Sequence, residues 1–467
     1  MNKLFLLISF CFIINNIEAQ TFIYGKQPTY KNYELIFYTF SDPFTGNDIE
    51  VGRCTTDSSG NFSVELPIDE TLLVYTYLGI FKGYIYVEPK KSYEILFPDK
   101  QEKTPADRLN PFFEPVEFHF SIKNQPSDDI NNLIIKFDTV YYKCFEKIIK
   151  NPLGQGQNKK VDSLSYFLIN YINKDNNDYV RNHAIYKIGL MRYLVNHQKV
   201  KSLSLEYFET RPIIYNNPAY FDLFNKTYQR YFYFFGQTKN GQKIFSDINE
   251  KKSYYELCNT LRQDKILKND TLRELVIIKN IHDEFYSSNF SRSGLINILD
   301  SLISKTKVEK NRKYGICVKN KLTRLLPGND PPQFALYDKN NKLVNLSDFK
   351  GKYVYLCFCS CNSYACMNEF DLLKKISKKY TDKLVIITVS IDDTYEEMTN
   401  YIKNNDYDWI FLHYGNQPNI IKEYDIRGFP TYFLIGPDGK LIFSPAKAPN
   451  EYFEIELFKI MKSRGDL

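Results

Sequence analysis

Four of the nine cysteines, Cys357, Cys359, Cys361 and Cys366, fall within ten residues of one another, and these thiols are the first candidates for chemistry. A thiolate at a helix N-terminus is stabilised by the helix dipole and free amides, which lowers a thiol pKa from ~8.5 toward ~3.5–7. Such a thiolate attacks a disulfide, and a second thiol resolves the mixed intermediate. Zinc is the other use of clustered cysteines, but a tetrahedral site draws ligands from separated elements. Cys357 and Cys359 lie on one predicted strand, and the five histidines are dispersed, so neither a metal nor a cofactor is expected.

The surrounding pattern supplies the elements that would hold these groups. Tyr353 to Phe358 is an apolar run that reads as a buried strand, Glu369 to Tyr380 as a long helix, and Leu384 to Ile391 as the next parallel strand. Pro437-Asp438-Gly439-Lys440 is turn chemistry between two further strands, and Leu326 to Pro332 breaks the preceding helical pattern. A strand–helix–strand series closed by an antiparallel hairpin is an α/β layer structure.

Several stretches occur in an order that is similar to a known family. Pro332-Gln333-Phe334-Ala335-Leu336 stands where that family has "A-P-x-F-x-L", and Asn345-Leu346-Ser347-Asp348-Phe349-Lys350-Gly351-Lys352 matches "x-L-S-D-F-K-G-K". Arg427-Gly428-Phe429-Pro430-Thr431 matches its cis-proline segment, and Glu369 its "C-x-x-C-R-x-E" glutamate. From Pro327 to Leu467 the chain thus resembles the TlpA-like family of exported thioredoxin-fold proteins, Bacteroidetes type. The resemblance implies thiol–disulfide exchange on polypeptide substrates, with Phe429, Pro430 and Thr431 offering backbone groups to the bound chain.

Laid without gaps on the family pattern "F-W-A-x-W-C-x-x-C", Phe358 takes the Phe, while Cys359 and Asn362 take the two Trp positions. Ser363 replaces the attacking cysteine and Cys366 keeps the resolving one, giving Ser363-Tyr364-Ala365-Cys366. Cys357 stands where many relatives keep a buried acid. A serine hydroxyl is not appreciably ionised near neutral pH and forms no disulfide, so ordinary exchange through residue 363 is excluded. Three readings stay open: a shifted redox pair of Cys366 with Cys361 or Cys359; a redox-inactive fold that binds partners in the cis-proline groove; and thiols that merely fill the core.

The rest of the chain frames this domain. At 467 residues it should hold two to four domains at roughly 100–200 residues each. Its 25% charged residues and net charge of +6 carry no long basic block, so a nucleic-acid partner is not expected. Met1-Asn2-Lys3, the apolar run Leu4 to Ile14 and Ile17-Glu18-Ala19 have the layout of a secretory signal peptide cleaved before Gln20. Cleavage is preferred to a lipid anchor at Cys11, because Phe10 sits where an anchor site wants a small residue. An oxidising compartment follows, the periplasm or cell envelope of a Gram-negative bacterium, with no transmembrane helix.

Strand runs such as Tyr33 to Tyr38 and Tyr84 to Val87, with turn chemistry at Thr56 to Asn61, predict a small antiparallel sandwich. Thr55 to Phe62 resembles the "T-D-x-x-G-x-F" hairpin of sandwich domains that precede such thioredoxin domains. A helical period then begins, with Ile130, Ile134, Phe137, Tyr141, Cys144 and Ile148 on one face. Further helices are expected near 161–173, 178–197, 218–235, 251–264, 270–287 and 293–304, with a capping box at Thr271-Leu272-Arg273-Glu274. His183, His197 and His282 read as surface or capping residues. The expected multidomain fold is a signal peptide over 1–19, an N-terminal β-sandwich over 20–104, a central all-α helical region over 105–326 and a C-terminal α/β thioredoxin fold over 327–467.

Overall fold

Alternation of apolar and polar residues builds the first strands: in β4 (Asn61–Leu66), Phe62, Val64 and Leu66 are buried while Asn61, Ser63 and Glu65 are exposed. The computed structural model describes residues 20–466 apart from 105–106, 108–109, 111–112, 124, 151–155, 173–176, 196–199, 393, 406 and 416. The expected signal peptide with Cys11, and His197, lie outside the described residues. The described residues within 20–41, Asn47–Lys100 and Val116–Thr227 form one compact unit, and those within Asp42–Gly46, 101–115 and 228–466 the other.

In the first unit, β1 (Thr21–Lys26), β4, β7 (Ser92–Leu96) and β9 (Ser121–Ile122) make one sheet. β2 (Glu34–Phe40), β3 (Asp48–Thr55), β5 (Leu72–Leu78), β6 (Phe81–Val87) and β8 (Val116–His119) make the other. Ile23, Val64 and Ile95 of the first sheet share one core with Phe37, Val74 and Ile85 of the second. The pairing is not purely antiparallel as expected, since β1–β7 and β6–β8 are parallel. The turn before β4 closes because the Asp57 carboxylate accepts from the Ser59 and Asn61 amides at 2.7 and 2.9 Å, with Gly60 at φ +79.

Helices Ile130–Ile149, Gln157–Ile172, Asp178–Val195 and Pro218–Thr227 follow. His183 is not a surface residue: it is buried and its Nε2 lies 2.9 Å from Asp138.

The helix expected over 218–235 is interrupted after Thr227, with Arg230 at φ +50 before a short helix at Tyr231–Gly236 in the second unit. The Asn280 side chain accepts from the Phe232 amide and donates to the Tyr228 carbonyl, so it satisfies backbone groups at the break. The capping box is also displaced. Asn269 caps helix Asp270–Glu284 through the Leu272 amide, while Glu274 instead accepts from Thr306 and Asn311. Helix Glu309–Thr323, not expected from its polar sequence, packs closely because a Cβ at Gly315 would meet Ile303 at 2.9 Å.

The chain ends in a seven-stranded sheet, ordered β11 (Leu343–Asn345), β10 (Ala335–Asp338), β14 (Ile410–His413), β13 (Leu384–Ser390), β12 (Tyr353–Cys359), β15 (Thr431–Ile435) and β16 (Leu441–Ala446). β12 pairs in parallel with β13 and antiparallel with β15. All seven residues of β12 are buried, as a central strand covered on both faces requires. Tyr353, Tyr355, Cys357 and Cys359 face a layer with Cys366, Phe370 and Phe453, and Val354, Leu356 and Phe358 face one with Val389, Tyr424 and Phe433.

Phe453 stacks on Tyr355 with ring centroids 3.7 Å apart, and both are fully buried. Phe453→Ala should therefore cost about 3–5 kcal/mol by removing a core aromatic. Trp409, the single tryptophan, is buried in the same layer, so its fluorescence during denaturant unfolding of the full chain reads this loss. An unchanged midpoint would contradict the packing described.

Candidate functional site

β12 ends at Cys359, and a three-residue loop leads to Ser363, the N-cap of helix Tyr364–Lys379. The loop is pinned by one carboxylate. Asp392, buried just beyond β13, accepts from the Ser360 hydroxyl at 2.6 Å, the Cys361 amide at 3.0 Å and the Ser390 hydroxyl at 2.5 Å. The His413 Nε2 lies 2.7 Å from the Asp392 carbonyl. A buried carboxylate is tolerated because these donors replace its hydration. None of Ser360, Ser390 or His413 was singled out from the sequence; the Ser-x-Asp at the end of β13 was the only local signal.

Cys357, Cys359 and Cys366 are buried in one core layer. The Cys357 and Cys359 Sγ atoms are 3.0 Å apart. The Cys359 thiol holds the Cys366 thiol below its ordinary value against the opposing effect of burial, with the Ser363 hydroxyl and the Ser360 backbone adding to it. Burial and the neighbouring thiols push Cys359 well above its ordinary value, and burial also raises Cys357.

Cys361, the other candidate partner, points elsewhere. Burial and the Asp392 charge raise its thiol far above the ordinary value, and its backbone amide donates to Asp392. Cys361 and Cys366 are 6% and 0% exposed, whereas Ser363 is half-buried and its neighbour Tyr364 is 76% exposed. The surface position of this helix terminus is thus a hydroxyl, with the thiols beneath it.

The Phe429–Pro430 peptide is cis. Thr431 opens β15 opposite Phe358 of β12, so Phe429, Pro430 and Thr431 lie beside the strand end from which the loop to Ser363 departs. All three are half-buried, and the Thr431 hydroxyl donates to the Gly428 carbonyl at 2.7 Å.

Residues 351–441 match the family model described as thioredoxin-like. The C-terminal region is a thioredoxin-like domain. It is 35% identical over 117 residues to the thiol-disulfide oxidoreductase ResA of Bacillus thuringiensis subsp. konkukian, covering 25% of this chain and 66% of that protein. With ResA of Bacillus subtilis the identity is 32% over 117 residues, covering 25% and 64%. The chain thus spans just under two thirds of the length of these relatives. A solved thioredoxin domain of a thiol-disulfide oxidoreductase from Bacteroides vulgatus is 27% identical, covering 28% of this chain and 97% of that one at a TM-score of 0.27. Among the described residues no helix is long and apolar enough to cross a membrane, and no group of three His, Cys, Asp or Glu side chains is placed to hold a metal.

Glu369, one turn beyond Cys366, is buried and accepts from the Tyr432 hydroxyl at 2.5 Å. Burial raises its carboxyl above the ordinary value, against the Tyr432 hydrogen bond. The folded state therefore holds this proton more tightly than the unfolded chain, and stability is lost as pH rises from the unfolded carboxyl value through the folded one. Glu369→Gln should be more stable than the parent at pH 7, with the gain gone by about pH 4. Denaturant midpoints at the two pH values check this; a gain of equal size at both would contradict the buried, proton-retaining carboxyl.

Proposed function

We propose that this is an exported, TlpA-like thioredoxin-fold protein of the cell envelope that engages polypeptide thiol or disulfide segments through the groove at Phe429, Pro430 and Thr431, without exchange at residue 363. The observation that carries the reading is Ser363 at the helix N-cap, half-buried, with the four nearby thiols buried. The relatives named as thiol-disulfide oxidoreductases support the polypeptide as the class of partner, and the signal-like pattern of the first nineteen residues supports export to the periplasm or envelope. The same reading assigns 20–104, with strands β8 and β9 from just beyond it, to a β-sandwich domain and the rest of 105–326 to a helical domain.

A second reading, redox exchange through Cys366, is favoured by the place of that residue in the first turn of helix Tyr364–Lys379, with its thiol held below the ordinary value. The burial of Cys366 weighs against it, because an attacking thiol needs access to the disulfide it attacks.

Reduction of a polypeptide disulfide by the mature protein, with a dithiol as electron source, separates the two. The parent should show no turnover above the dithiol alone. Ser363→Cys, which restores a Cys-x-x-Cys pair at the helix N-terminus, should raise the rate at least ~10-fold. Turnover by the parent that disappears in Cys366→Ser would overturn the groove reading in favour of the second.

A further inference from the structure

The groove at Phe429, Pro430 and Thr431 has a charged neighbour. Helix Glu309–Thr323 ends against the turn that follows the short helix Pro418–Glu423. Leu325, just past its end, packs on the apolar layer that holds Ile420, Tyr424 and Ile426. The Arg324 guanidinium donates to the Lys422 carbonyl at 2.6 Å, the same carbonyl that accepts from the Asp425 amide. Asp425, in the left-handed conformation at φ +48, turns the chain toward Arg427. The Arg427 side chain pairs with the Asp425 carboxylate at 2.8 Å and is 74% exposed. From Arg427 to Pro430 is three residues, at most about 10 Å of chain.

This turn gathers more positive than negative charge. Lys321 stands one helical turn before Arg324, within electrostatic reach of Arg324, Lys422 and Arg427. Four cations thus meet two carboxylates, Glu423 and Asp425. Asp425 is paired with Arg427, and neither Lys321 nor Arg324 makes an ion pair among the described residues. Lys321 is half-buried, and burial together with the like charges holds its ammonium below the ordinary value. Bonding to a helix C-terminal carbonyl accounts for Arg324 alone. It leaves unexplained a half-buried lysine set among three other cations, an arrangement that an incoming anion relieves.

We propose that Lys321, Arg324, Lys422 and Arg427 form a subsite for acidic residues of the polypeptide held in the groove. The inference rests on the groove reading and adds the partner's charge to it: an extended segment with Asp or Glu a few residues from the part at Pro430. Lysine and arginine side chains only donate, so carboxylates are the peptide groups that suit them. The exposed Arg427 and Lys422 attract such a segment, and the half-buried Lys321 and Arg324, less screened by solvent, discriminate it from a neutral one.

The probe is a pair of fluorescein-labelled peptides of equal length, each with an S-alkylated cysteine at its centre, one flanked by Ser and Glu and the other by Ser and Gln. Fluorescence anisotropy reads their binding to the mature full chain. At low salt the Glu peptide should bind about 3–10-fold more tightly, and the ratio should fall toward one as salt is added. Lys321→Gln should weaken the Glu peptide about 2–5-fold and leave the Gln peptide unchanged. Arg427→Gln, an exposed position, gives the same readout if Lys321→Gln fails to fold. Equal affinities for the two peptides, or an equal loss for both in Lys321→Gln, would overturn the subsite. So would phosphatidylglycerol vesicles that bind the parent and not Lys321→Gln while the two peptides bind alike, since the patch would then face a lipid surface. Thr431→Trp, which fills the groove, should weaken both peptides. Unchanged binding there, with the Glu peptide still preferred, would sink the groove reading and not the charged subsite.

Discussion

Strand β12 is paired on both sides and buried along its whole length, and much of the site follows from that placement. A strand in this position presents successive side chains to opposite layers. Tyr353, Tyr355, Cys357 and Cys359 must therefore lie under the layer that contains Cys366 and Phe370. Cys359 and Cys366 share this layer because the strand ends there and the following helix begins a short loop later. The same geometry leaves Ser363, at the cap, more exposed than any of the four thiols.

Two neighbouring thiols are driven in opposite directions. Burial pushes the Cys359 thiol well above its ordinary value, while Cys359 in turn holds the Cys366 thiol, in the first turn of the helix, below its own. Asp392 makes this arrangement definite. By gathering the Ser360 and Ser390 hydroxyls and the Cys361 amide, it fixes the loop between strand and helix and keeps Cys361 away from the pair. Removing such an acceptor would leave several buried donors unpaired, at roughly 1–3 kcal/mol each.

Local patterns carried a good part of this structure. The apolar run at Tyr353–Phe358, the helix after it, the Pro437–Lys440 turn and the segment around Pro430 each declare themselves within a few residues. The candidate residues Ser363 and Cys366 were legible for the same reason, as positions in one motif. What the sequence could not display were interactions between distant segments. Asp392 lies about thirty residues from the loop it pins. Cys359 and Cys361 are alike in composition and spacing, and only the direction of the strand separates the one packed in the layer of Cys366 from the one whose amide meets Asp392. Likewise, the break at Arg230 depends on Asn280, fifty residues on, and the helix at Glu309–Thr323 on a close approach at Gly315.

The central claim is that no exchange-competent thiol stands at the surface of this thioredoxin-like domain. Pulsed alkylation of the folded, fully reduced protein at pH 8, mapped by mass spectrometry, tests it most directly. Cys54, which is half-buried in the first unit, serves as the internal reference. The account predicts that Cys357, Cys359, Cys361 and Cys366 are modified more slowly than Cys54, despite the lowered pKa of Cys366. Modification of Cys366 ahead of Cys54 would contradict it.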